Sequence, residues 1–339
     1  MKPWLAELLA CPEHALPLAL TAFETAGEEI EAGVLACAGG GGHWFPVWNG
    51  IPRMLALSDL SGPACEAFLA AHAGKLPAGG QGLSPMPAEA RATVEGFQYE
   101  WDKFGNDRYN ILEEKEEKDV FVDFLGRPDA WFQGKRVLEA ACGPGWYAEF
   151  VRRKGAQVVA VDLSRAVDYA HGRCGPDGPA FVQGDITRLP IREGMFDYVY
   201  CYSAIQHTSD TQATLRNLVR AAKPGATVTV SHYGPIRYVR WVYDLGREFT
   251  TRIPLRVLYG LSFLAVPLSY VPGVRHVCFP SNYPRRPWRR RVLDTFDWYQ
   301  ARLHRYCTQG ELEAWCREAG LGQVTGGLKV GIAARGTKP

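Results

Sequence analysis

Four sets of residues in this 339-residue chain have types and spacings that could do chemistry. The first is the turn in VLEAACGPGWYA at 137–148, where an apolar run meets glycines and then a helical pattern. Gly143 and Gly145 lack a Cβ, so the backbone there can approach a ligand closely. Dinucleotide-binding loops use similar glycines and tolerate Ala148 at their third position, so glycine spacing alone leaves the ligand open. The acids around the turn speak to its charge. Glu139 closes one predicted strand, Asp162 in VVAVDLS the next, and Asp185 in FVQGDI the third. In a doubly wound sheet those strand ends face one crevice, so three carboxylates would border one ligand. That is more negative charge than a diphosphate tolerates, and it suits a cationic sulfonium nucleoside. The competing reading makes each acid an ordinary helix cap.

The second set is basic and polar. His207 in SAIQHT follows the fourth predicted strand and His232 in TVSHYG ends the fifth. Imidazole titrates near neutrality, so both are candidate general bases, His207 first, with a backbone-bonded structural histidine as the alternative. Tyr202 and Gln206, in the same stretch as His207, are candidate ligand contacts, Gln206 toward ligand or loop backbone. The third set is aromatic: FQYEWDKF at 97–104 offers Tyr99 and Trp101 to a cation, while Phe97 and Phe104 are expected to pack on the sheet.

The fourth set pairs Cys11 with His14 in LLACPEH and Cys37 with His43 in LACAGGGGH. Two Cys and two His on close loops can make a tetrahedral structural zinc site, against a reading in which the unit folds without metal. Apart from these, RRPWRRR at 285–291 gathers Arg285, Arg286, Arg289, Arg290 and Arg291. Such a run could meet phosphate, carboxylate or a membrane surface, or be a solvated turn.

The elements that must position these residues follow an α/β rhythm. Strands are expected at 136–139, 157–162, 180–183, 196–202 and 227–232, with helices between most of them. Thr308 and Glu311 have capping-box spacing for a last helix, stopped by Gly320 and followed by a strand pair. The division expected is a compact N-terminal module at 1–57, a Pro/Gly-rich linker at 58–92 and a helical covering segment at 93–135. A core at 136–233, an acceptor-covering insertion at 234–306 and the end of the core at 307–339 complete it.

Composition narrows the class. Hydrophobic residues at 47% and charged residues at 22% fit a globular protein. A net charge of +2 does not favour a nucleic acid as the partner of the whole surface. Nine cysteines without a secretory pattern point to reducing cytoplasm. The apolar stretch 260–274 is interrupted by Pro267 and Pro272, so no transmembrane segment is expected.

Taken together, LEAACGPG, VDLS, GDITRLP, FDYVYCYSAIQH and AAKPGATV, in order from about Phe97 onward, resemble the class I S-adenosylmethionine-dependent methyltransferases. The resemblance implies a Rossmann-like sheet and S-adenosylmethionine as cofactor. Gly143, Gly145 and Glu139 would then hold its amino-acid part, Asp162 beside Leu163 its ribose, and Asp185 with Ile186 its adenine. The segment ending in GIPRML resembles the zinc-ribbon family that includes the activator subunit of tRNA and protein methyltransferases, with His14 where a cysteine is usual. The function expected is methylation of a small molecule: a secondary metabolite, sugar or lipid-like acceptor. An RNA or protein methyltransferase and a non-catalytic cofactor-binding subunit stand as alternatives.

Overall fold

The computed structural model describes the chain except for residues 40, 61, 79–80, 105–110, 235–239, 272 and 275–285, so Arg285 lies outside the described residues. The strands are β1 (Leu18–Ala26), β2 (Glu29–Cys37), β3 (Trp44–Trp48), β4 (Ile51–Met54), β5 (Arg136–Ala140), β6 (Gln157–Asp162), β7 (Ala180–Gly184), β8 (Phe196–Cys201), β9 (Ala222–Ser231), β10 (Gly322–Thr325) and β11 (Ala333–Thr337). They form one sheet in the order β1-β2-β3-β4-β7-β6-β5-β8-β9-β11-β10. From β7 to β9 neighbours are parallel, and β11 joins β9 antiparallel. The winding reverses between β5 and β8, which puts the ligand crevice at their carboxyl ends.

The central strands are buried on both faces, which is why they read as nearly unbroken apolar runs. Alternate side chains divide into two layers: Leu138, Val159, Val161 and Val199 on one side, Val137, Val158, Ala160 and Tyr198 on the other. The predicted strand ends shift slightly. β8 stops before Tyr202 because the chain turns at Ser203 (φ 52°), and β9 starts earlier than expected, at Ala222. The last helix, Gln309–Glu318, begins as expected: the Thr308 hydroxyl accepts from Glu311 N at 3.3 Å and Thr308 N donates to Glu311 Oε2 at 2.8 Å.

Two expectations about organisation change. Residues 1–57 do not stand apart as a module, because β4 continues the antiparallel meander into the core by pairing parallel with β7. Arg53 locks that junction, fully buried, donating to Asp168 at 2.5 and 3.1 Å and to Gln183 at 3.0 Å. The segment 58–92 is no plain linker either. It contains the helix Pro63–His72, whose Cys65 and Phe68, three residues apart, pack with Trp48 and Leu55. The helix Ala88–Phe104 then packs against Trp288–Gln300, the longest helix described in the insertion.

Candidate active site

The turn after β5 is tight, with Ala141, Gly143 and Gly145 all at positive φ (61°, 49° and 72°). Gly143 N donates to Asp162 Oδ2 at 2.8 Å, while Asp162 Oδ1 accepts from the Ser164 amide at 2.8 Å and its hydroxyl at 2.6 Å. One carboxylate thus ties the end of β6 to the glycine loop. Burial raises the Asp162 pKa, and these hydrogen bonds oppose the rise. Asp185 caps the short turn after β7, accepting from Thr187 N at 2.8 Å and its hydroxyl at 2.7 Å. Capping does not keep these acids from the crevice, since Gly143, Asp162, Leu163, Asp185 and Ile186 all line one cavity of about 470 Å3.

Glu139 and Gly145 are placed differently from expectation. Glu139 lies beneath the loop, 1% exposed and outside the lining, and burial pushes its carboxyl well above the usual range. Its position in the middle of a pairing stretch, opposite Ala160 and Tyr200, turns it into the core rather than toward the crevice. A Cβ on Gly145 would come within 2.9 Å of Ala170 and Phe181, so this glycine serves packing of the following helix. A Cβ on Gly143 would instead meet the Trp101 indole at 3.2 Å.

The helix Ala88–Phe104 turns Ala90, Val94, Phe97 and Trp101 into the cavity. Tyr99 faces away, against Tyr259 and Phe296 at ring distances of 6.0 and 5.7 Å. Of the two aromatics offered to a cation only Trp101 lines the cavity, because two helical positions are about 200° apart, whereas Phe97 and Trp101 share a face. Phe104 is buried with Val292 and Leu293.

Tyr202 lines the cavity and its hydroxyl donates to Glu117 at 3.0 Å, alongside Tyr147 at 2.8 Å. His207 also lines it. Its Nδ1–H donates to the Leu303 carbonyl at 2.7 Å, which leaves Nε2 as a lone pair with no hydrogen-bond partner among the described residues. Burial pushes the imidazole down to about 3, so it is neutral at ordinary pH. Gln206 turns inward and donates to Ser203 O at 2.7 Å, a loop-backbone contact outside the lining. His232 does not reach the cavity either: it is buried against Trp315 with Nδ1 on the Tyr233 carbonyl at 3.0 Å. Directly after β9, it is held behind the site by the backbone bond of its amide to Ile332 O.

Several lining residues escaped the sequence reading. Beside Arg290 of the arginine run, Trp288–Gln300 contributes Leu293, Asp294, Asp297 and Trp298, and Tyr233 stacks on Trp298 with ring centroids 5.5 Å apart. Asp294 pairs with Arg290 at 2.6 Å and Arg286 at 2.7 Å. Asp297 accepts from the Tyr233 hydroxyl at 3.4 Å, and burial together with the Asp294 charge raises it to about 7. DTFDW alternates acids and aromatics without a motif, so only the helical face could have marked these two acids.

At the other end of the sheet, Cys11 Sγ lies 3.4 Å from His43 Nδ1, and His14 Nδ1 lies 3.4 Å from Cys37 Sγ. The ligand atoms of Cys11, His14 and Cys37 are all within 4.8 Å of one another. A tetrahedral zinc with ordinary bond lengths has S···N edges of about 3.5 Å, so Cys11, His14 and Cys37 are spaced as three ligands of such an ion, while the expected fourth, His43, meets Cys11 and stacks on His14 without joining the group.

Residues 138–230 match the family described as Methyltransferase domain. The malonyl-[acyl-carrier protein] O-methyltransferase of Erwinia billingiae is 35% identical over 99 residues, which are 29% of this chain and 39% of that protein. The demethylmenaquinone methyltransferase of Clavibacter sepedonicus is 28% identical over 264 residues, 76% of this chain and 93% of the relative. Among solved structures, magnesium protoporphyrin IX methyltransferase from Synechocystis, with S-adenosylmethionine bound, aligns at TM-score 0.44 and 13% identity over 76% of this chain and 100% of that one. The glycine loop, Asp162 and Asp185 thus gather at the switch point of the sheet within the residues that match the methyltransferase-domain family.

Proposed function

We propose that the protein moves a methyl group from S-adenosylmethionine to a small-molecule acceptor within this cavity. The observation that carries the reading is that one cavity joins two chemically different ends. Gly143, Asp162 and Asp185 form one, and Phe97, His207, Tyr233, Asp297 and Trp298 the other. At the first end two carboxylates on successive strand ends favour a cation and repel a diphosphate. Asp162 and Asp185 would hold the nucleoside, with Leu163 and Ile186 as apolar neighbours and Trp101 against the glycine loop. When bound, the cofactor supplies an activated, positively charged methyl group. Alignment of the acceptor with that group can provide much of the rate.

At the second end the aromatic walls would orient the acceptor. Asp297, raised to about 7, is matched to removing a proton near neutrality. His207 Nε2 accepts a hydrogen bond that positions the acceptor. The relatives' named substrates, a malonyl group on carrier protein and demethylmenaquinone, support an organic acceptor. Calorimetry with S-adenosylmethionine and its demethylated product tests the cofactor assignment. Micromolar binding that Asp162→Ala weakens by about tenfold or more, the cost of one charged hydrogen-bonding partner, is expected. Binding of NAD in place of both sulfur compounds would refute it.

We infer also that Cys11, His14 and Cys37 hold one structural zinc, with His43 beside Cys11 as the nearest residue for a fourth position. Its ligands lie on the N-terminal meander and none belongs to the cavity lining, so its role would be to hold the loops before β1 and after β2 together.

A further inference from the structure

The cavity gathers acids from three helices away from its glycine loop. Glu100 comes from Ala88–Phe104, Glu117 from Lys115–Leu125, and Asp294 and Asp297 from Trp288–Gln300, and all four line it. The arginines lining it beside them, among the described residues, are Arg286 and Arg290. Both pair with Asp294, at 2.7 and 2.6 Å. Arg290 also reaches Glu117 at 3.8 Å, and the other oxygen of Glu117 accepts from Tyr147 and Tyr202.

Glu100 and Asp297 are satisfied far less well. Glu100 is 2% exposed, and its Oε2 has no hydrogen-bond partner among the described residues. Gln300 beside it is a neutral amide and adds no positive charge. Asp297 accepts only the long bond from the Tyr233 hydroxyl at 3.4 Å among the described residues. Arg247, a further cation that Asp297 feels, lies outside the lining and donates to the Ala301 carbonyl at 2.7 Å. Burial and the charges of Asp297 and Asp294 push the Glu100 carboxyl well above its usual range. Two neighbouring carboxyls in such surroundings both ionise only when a cation joins them.

We infer that the acceptor is an amine on an apolar or aromatic body, bound as its ammonium, with Glu100 and Asp297 holding the charged nitrogen. This rests on the methyl-transfer reading of the cavity and names the chemical class that its acceptor end takes. An ammonium supplies N–H donors to carboxylate oxygens, which can only accept. The aromatic walls add cation–π attraction, with Tyr233 stacked on Trp298 and Phe97 edge-on to His207 at 5.0 Å. The ammonium also brings Asp297 the proton that this carboxylate is matched to remove. An anionic acceptor would add charge of the same sign, and a neutral alcohol would leave the two acids uncompensated. A divalent metal ion fits less well. Among the described residues, Cys11, His14 and Cys37 are the one group of three or more His, Cys, Asp or Glu with ligand atoms within 4.8 Å of one another, so these acids are too spread to share an ion.

Calorimetry on the full chain saturated with S-adenosylhomocysteine tests this, with phenethylamine and tryptamine as probes beside the matching alcohols, phenethyl alcohol and tryptophol. The amines should bind at least about tenfold more tightly than the alcohols, the worth of one charged hydrogen-bonding pair. Glu100→Gln should weaken the amines by about tenfold or more, while its affinities for the alcohols and for S-adenosylhomocysteine stay at the parent values and its melting temperature does not fall. Asp297→Asn should weaken the amines in the same direction. Amines that bind no better than the alcohols, or that bind Glu100→Gln as well as the parent, overturn the proposal and leave the cofactor assignment standing. A parent chain that does not bind S-adenosylhomocysteine overturns the methyl-transfer reading itself, and this inference with it.

Discussion

Asp297 and His207 line the same cavity but are tuned in opposite directions, and their pH signatures separate them. Burial and Asp294 raise Asp297 to about 7, so turnover should climb through that pH as the carboxylate forms, and Asp297→Asn should remove the climb while lowering kcat by about 100-fold or more. The stability effect has the opposite sign. A raised folded pKa stabilises below the unfolded value and loses that contribution as pH rises through about 7, so Asp297→Asn should be more stable than the parent at pH 8 by thermal melting. For His207, pushed down from 6.5 to about 3, the unfolded chain binds the proton first, so its contribution is present above 6.5 and is lost as pH falls toward 3. His207→Gln should flatten that acid limb. His207→Ala should slow turnover at every pH while sparing cofactor affinity, and unchanged turnover would remove it from the acceptor site.

At the scale of elements, the glycine loop contains two glycines with different duties. Gly145→Ala would drive a Cβ to 2.9 Å from Ala170 and Phe181 at φ 72°. It should cost about 1–3 kcal/mol in denaturant unfolding, as overpacked cores do. In Gly143→Ala the Cβ meets the Trp101 indole at the cavity wall, so cofactor affinity should fall more than stability. The Cys/His cluster makes a comparable separation. Metal analysis should find about one zinc per chain, and its removal by chelator should lower the melting temperature without abolishing S-adenosylmethionine binding. A protein that contains no zinc after expression in zinc-replete medium would reject the metal. The N-terminal capping box of Gln309–Glu318 was legible because its donors and acceptors lie three residues apart; which of Tyr99 and Trp101 meets the cavity was not, because a two-residue separation reverses the helix face.

Across the whole molecule, the Arg53–Asp168 pair joins the N-terminal meander to the core. Asp168→Ala leaves a fully buried guanidinium without its carboxylate and should destabilise the protein by about 3 kcal/mol in equilibrium unfolding. Order along the chain was enough to read the parallel strands and the glycine turn and to put Asp162 and Asp185 at strand ends, because strand period and turn chemistry are local signals. Sequence also determined that the stretch from Phe249 to Leu293 inside the insertion is rich in arginine and lacks Asp and Glu. Only tertiary structure decided that Glu139 is buried beneath the loop, that His232 stays behind the site, and that Asp297 and Trp298, far along the chain, close the cavity beside His207. Those outcomes depend on which helix face meets which strand end. That choice is made by long-range packing, to which a one-dimensional pattern carries no coordinate.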